Sequence, residues 1–166
     1  MNNETFLKAY DEYADALFRH VFFRLFDDKK AADLVQETFY RAWMSVVDGK
    51  EIDNMRAFLY AVLNNLIIDE YRRKKEASLE VLAEKGFAPS EDLDGPLQEH
   101  LDAKDIASVL SELEEHHREV VIMRYIDDLT PKEIAGITGE STNIISVRIH
   151  RAMQKVRKIL ESRHLL

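Results

Sequence analysis

Asp33, Gln36, Glu37 and Tyr40 recur at i, i+3, i+4 and i+7, so a helix through them displays two carboxylates, an amide and a phenol along one face. Such a face can accept hydrogen bonds and cations across a protein interface, and it fits an ordinary solvated surface equally well. A second set, Phe58, Val62, Asn65, Asp69 and Arg72, steps by four, three, four and three, aligning an amide, an acid and a guanidinium on one ridge. Asp69 is within helical reach of Arg72 or Arg73, an ion pair that steadies a helix only slightly. A third set, Thr142, Asn143, Ser146, Val147, His150 and Arg151, falls on the outer side of a helix rich in cations. From Ser141 to Leu166 there are six basic residues and one acid, a local charge that suits a polyanion. All three sets offer recognition chemistry rather than bond making. The sequence contains no HExxH, P-loop or Gly-rich dinucleotide turn. Glu115-His116-His117 puts its histidines on different faces of a helix, and Asp127-Asp128 falls in a turn, where two acids are expected to be solvated. No catalytic residue, metal-ligand set or cofactor is assigned.

The elements that must position these groups are helices. Phe6, Tyr10, Tyr13, Leu17, Val21 and Leu25 form the stripe of a first long amphipathic helix, and Ala31, Val35, Phe39 and Ala42 that of a second. A third is expected from about Asn54 to Lys75, with Leu59, Val62, Leu63 and Leu66 as core, after a polar loop that turns at Gly49. From Asp105 onward, Leu110, Leu113, Val120 or Val121, and Met123 to Tyr125 recur at helical spacing. Thr130-Pro131-Lys132-Glu133 joins a capping box to proline at the first helical position. The short helix it opens ends at Gly139, and Ser141 can cap a longer one running to about Leu160 whose core stripe is Ile145, Ile149, Ala152 and Val156. A short helix, a glycine turn and a longer cationic helix are the parts of a DNA-reading helix-turn-helix.

Composition agrees with an all-α fold of two small helical domains. Five glycines and three prolines in 166 residues are too few turn formers for a many-stranded sheet. With no cysteine, disulfides and cysteine-ligated metal centres are excluded. The longest apolar run, Ala57 to Leu63, is seven residues, against roughly 20 for a membrane helix, and the polar N-terminus lacks a secretory signal, so a cytoplasmic location is expected. The net charge of −8 is uneven: residues 76–105 hold nine acids and two bases. That segment also contains two of the three prolines and reads as a flexible acidic linker between domains at 1–75 and 106–166.

Together these residues resemble the sigma-70 family of bacterial transcription initiation factors, in particular its small extracytoplasmic-function group. AADLVQETFYRAW (31–43) looks like the family's polymerase-binding helix, and RAFLYAVLNNLIIDEYRRKK (56–75) like its promoter-melting helix. LEEHHREVVIMRYIDDLTPKEIAGITG (113–139) with ISVRIHRA (145–152) is similar to its C-terminal helix-turn-helix. The resemblance implies that the first domain is a region 2-like bundle and the last a region 4-like module. Asp33, Gln36, Glu37 and Tyr40 would dock on the clamp of core RNA polymerase. Asn65, with the loop before the third helix, would hold a base flipped from the minus-10 element, with Arg56, Arg72 and Arg73 on nearby DNA. Thr142, Asn143, Ser146, Val147, His150 and Arg151, with Arg124, would bind the minus-35 element of promoter DNA. An anti-sigma factor is a further implied partner. Asn143, Ser146 and Val147 depart from the family's usual residues, as do Glu140 in the turn and Ala32 beside the clamp-binding face.

Promoter elements about two helical turns apart lie roughly 70 Å from each other. Thirty residues span roughly 100 Å when extended and about 45 Å as helix, so a largely extended linker is expected in a working complex. The competing class is a helix-turn-helix regulator that binds duplex DNA as a dimer without polymerase; it predicts palindromic sites.

Overall fold

The computed structural model describes residues 2–81 and 101–165, and every regular element among them is helical. Helix α1, Asn3–Leu25, begins under Asn2, whose side-chain oxygen accepts from the Thr5 N–H at 2.9 Å. It ends where Phe26 turns left-handed at φ 56 and returns its N–H to the Phe22 carbonyl. Asp27 caps α2, Asp28–Val47, by accepting from the Lys30 N–H. Gly49 then takes φ 85 in the connecting loop, a conformation that side-chain-bearing residues avoid. Asn54 accepts from the Ala57 N–H at 3.0 Å at the start of α3, Met55–Val81.

The stripes meet as their spacing requires. Leu17 and Val21 of α1, Ala31, Val35, Phe39 and Ala42 of α2, and Leu59 and Leu63 of α3 are buried in one cluster. At its rim Phe6 meets the Phe39 ring edge-on, with centroids 6.1 Å apart, whereas Tyr10 stays exposed. Helix α3 runs past Lys75 to Val81, so the first six residues assigned to the linker are helical. Glu76 to Val81 contains no glycine or proline to stop it.

The second group comprises α4, Leu101–Ser111; α5, Glu115–Val121; a π-helical turn, Ile122–Ile126; α6, Pro131–Thr138; and α7, Thr142–Ser162. Helix α4 takes over the last residues of the expected linker, and the extended conformation expected for that segment falls largely on 82–100, outside the described residues. The π-helical turn adds a residue to the helical register. Met123 is therefore buried while Tyr125, expected to face the core, is 56% exposed. Both arms of the capping box form: Thr130 Oγ1 accepts from the Glu133 N–H at 3.2 Å, and Glu133 Oε2 from the Thr130 N–H at 2.7 Å. Gly139 closes α6 at φ 78, and Ser141 caps α7 by accepting from the Ile144 N–H. Ile134, Ala135 and Ile137 of α6 are buried with Ile145, Ile149 and Ala152 of α7. The two groups pack on each other, α3 against α6 and α1 against α5 and the π-helical turn.

Candidate polymerase and promoter interfaces

Burying one side of α2 leaves the opposite side to solvent. Asp33, Gln36, Glu37 and Tyr40 line a single shallow depression there. Glu37 is held by Arg41, whose Nε donates to Oε1 at 2.7 Å. Tyr40 is exposed, and so are Met44 and Val47, which continue its row at i+4 and i+7. Sequence reasoning stopped at Tyr40; the same helical period pointed to the next two residues.

On α3 the ridge is partly as expected. Asn65 is exposed, and Arg72 pairs with Asp69 at 3.9 Å, both well solvated, so the pair adds little stability. Arg73 is exposed as well. The loop before α3 forms a hollow lined by Val46 and residues 49–53, and Asn65 does not line it. Arg56 is elsewhere: its guanidinium donates to the backbone carbonyl of Asp127 in the second group.

On α7, Thr142, Asn143, Ser146, Val147, His150 and Arg151 are all exposed on the side opposite the Ile145–Ile149–Ala152 stripe. Arg151 makes no ion pair among the described residues, which leaves its charge for an anion. Arg124 lies on the π-helical turn, with its guanidinium near the Leu129 carbonyl at 3.4 Å and Asp128 at 3.8 Å.

The contact between the two groups contains a buried polar network that the sequence reading missed. Asp127 is buried, not a solvated turn acid: its Oδ2 is 2.6 Å from His20 Nδ1, and its Oδ1 accepts from Tyr60 OH at 3.1 Å. Burial, with the carboxylate of Asp127 next in effect, raises the Tyr60 pKa far above its ordinary value, keeping the phenol a donor. Beside this pair, Arg24 of α1 donates to Asn64 at 2.7 Å and to Glu115 at 2.5 Å, with Glu119 3.7 Å away. Arg118 of α5 reaches back to the Arg24 carbonyl at 3.1 Å. The Glu119 pKa is raised by burial, a tendency that the Arg24 charge opposes. In the sequence His20 and Arg24 flank the α1 stripe residues Val21 and Leu25, which gave them no separate signal.

His116 is exposed and His117 buried, as their different helix faces require, although their rings approach to 4.1 Å with planes tilted 38°. Donor atoms of Glu114, His116 and His117 come within 4.8 Å of one another. Among the described residues, no helix is long and apolar enough to cross a membrane.

A helical bundle whose second helix turns a polar face to solvent, joined to a capped helix-turn-helix with a bare outer face, defines a DNA-binding protein of the helix-turn-helix class. Comparison with known proteins narrows the class. Residues 9–77 match the family described as Sigma-70 region 2, and residues 109–158 match Sigma-70, region 4. The ECF RNA polymerase sigma factor SigL of Mycobacterium tuberculosis is 31% identical over 153 residues, covering 92% of this chain and 86% of that one. RNA polymerase sigma factor SigV of Bacillus subtilis is 28% identical over 146 residues, covering 88% and 85%. Among solved structures, the sigma factor RpoE from Bartonella quintana, in complex with the anti-sigma factor NepR, superposes with a TM-score of 0.78 at 26% identity, over 95% of this chain and 98% of that one. CnrH, in complex with the cytosolic domain of CnrY, gives 0.73 at 25% identity over 97% and 90%. The chain belongs to the sigma-70 family of RNA polymerase sigma factors, in its extracytoplasmic-function group. It directs promoter-specific initiation by RNA polymerase; polymerase-independent regulation, the competing class, is not favoured.

Proposed function

We propose that the α2 depression formed by Asp33, Gln36, Glu37 and Tyr40 is the contact with core RNA polymerase, and that Met44 and Val47 extend it with apolar area. Asn65, Arg72 and Arg73 on α3 then serve the minus-10 element, and the outer face of α7, Thr142, Asn143, Ser146, Val147, His150 and Arg151, reads the minus-35 element. The observation that carries this reading is the bare face of α7: six exposed side chains lead a helix whose buried stripe is spent on α5 and α6. Domains at 1–75 and 106–166, with an acidic connection between them, divide the work. The chain acts in the cytoplasm and contributes no catalytic group of its own, since bond making belongs to the polymerase.

The packed arrangement is a resting state in this reading. Arg56, proposed to touch minus-10 DNA, is occupied by the Asp127 carbonyl, and Arg124, assigned to minus-35 DNA, lies three residues before Asp127. Groups meant for elements roughly 70 Å apart are thus at one junction, so the halves must separate on the promoter. RpoE was captured with the anti-sigma factor NepR, which supports a partner of that kind for this chain as well. The test is reconstitution with core polymerase, the wild-type chain beside a variant with alanine at Asp33, Gln36 and Glu37. Loss of association with an unchanged melting curve supports the α2 assignment; unchanged association removes it.

A further inference from the structure

The leading turns of α7 are those that meet base edges when a reading helix enters the major groove. Their exposed side chains, Thr142, Asn143, Ile144, Ser146 and Val147, carry no charge. The one cation of this stretch, Arg148, is turned back onto Glu140 of the preceding turn, guanidinium to carboxylate at 2.6 and 3.0 Å, and its side chain is only 20% exposed. Ile144 and Val147 remain 51% and 42% exposed, and with Arg151 they form a row at i, i+3 and i+7. Both are β-branched, so their methyl groups are held in nearly fixed positions and lose little freedom on contact.

Base edges in the major groove sort by the groups that these leading turns have and lack. Guanine is read mostly by arginine or lysine at O6 and N7, adenine by asparagine or glutamine at N6 and N7, and thymine by apolar contact with its C5-methyl group. The front of α7 offers an amide, two apolar side chains and the hydroxyls of Thr142 and Ser146, which do not discriminate between bases, with Arg148 withdrawn. We propose that this face selects A·T pairs in the upstream promoter element, with Ile144 and Val147 against thymine methyl groups and Asn143 as the adenine-reading amide. Ile144 is thereby a specificity-determining residue, and Glu140 a positioning residue that holds Arg148 off the bases. The inference rests on the minus-35 reading proposed above and states what that element contains.

The experiment uses the full chain with core polymerase and promoter fragments whose upstream element is randomised. Selected fragments are expected to be enriched in adjacent A·T pairs. Replacing a selected thymine by uracil removes only the methyl group and is expected to weaken binding about fourfold per position, the value of one buried methylene-sized group. Ile144→Ala, at an exposed position where folding is not at stake, is expected to bind thymine and uracil equally at one of those positions. Enrichment of G·C pairs, or equal binding of thymine and uracil by the unaltered chain, overturns the inference and leaves the sigma-factor reading standing. If no sequence is enriched although polymerase is bound, the minus-35 reading itself fails and takes this inference with it.

Discussion

Replacing Asp127 with alanine removes the carboxylate shared by two buried groups of the first helical group. His20 lies 2.6 Å from one oxygen and Tyr60 donates to the other at 3.1 Å, and both residues are almost fully shielded from water. Leaving a buried polar group without its partner costs about 1–3 kcal/mol, and two such groups are left here. The Arg56 bond to the Asp127 backbone survives the substitution, which places the expectation in the lower half of that sum, about 3 kcal/mol. At 1.36 kcal/mol per tenfold change, this moves the balance from packed toward separated halves by roughly two orders of magnitude. The chain has no cysteine, so single cysteines at the exposed positions Glu4 and Lys158 can carry a fluorophore pair. Energy transfer should fall in Asp127→Ala while the far-ultraviolet circular dichroism stays native. Apparent affinity for core polymerase should rise, by at most the same factor, if separation limits binding. Tyr60→Phe removes a single hydrogen bond and should move both readouts the same way by about 1 kcal/mol. Unchanged energy transfer together with unchanged polymerase affinity in Asp127→Ala would refute the reasoning, for the buried pair would then not be what holds the halves together.

Other consequences are simpler to check. Thr130→Ala removes the side-chain arm of the α6 cap and should lower stability by about 1 kcal/mol in denaturant melts, with no effect on polymerase association. Glu140→Ala releases Arg148, so a selection experiment should then admit guanine at a position the wild-type chain gives to A·T pairs. Burial, helped by the neighbouring His116, lowers the His117 pKa below its ordinary value of about 6.5, so the unfolded chain binds the proton more readily. Stability should accordingly decline as the pH falls below about 6.5 and level off once the folded-state pKa has been passed, and His117→Gln should flatten that part of the melting-temperature profile.

Most of the fold was legible because helical stripes are local: Ala31, Val35, Phe39 and Ala42 are buried at the spacing that predicted them, and the Thr130 box and Gly139 mark α6 to the residue. The solvent-facing sets on α2 and α7 were legible for the complementary reason, being what those stripes leave outside. What escaped was not periodic. His20 and Asp127 are 107 residues apart, and an acid that ends in a turn gives no sign that another domain will bury it. The π-helical turn at Ile122–Ile126 shifted the register by a residue, which exposed Tyr125. The end of α3 was misplaced because a charge run was taken for a linker where helix-forming residues simply continued.

Transcription reconstituted from purified core polymerase, the full chain and fragmented genomic DNA puts the whole account at stake. It predicts initiation at asymmetric sites that depends on both chain and polymerase, while the chain alone opens no duplex. A symmetric dimer that binds palindromic duplex tightly and leaves polymerase output unchanged would contradict it.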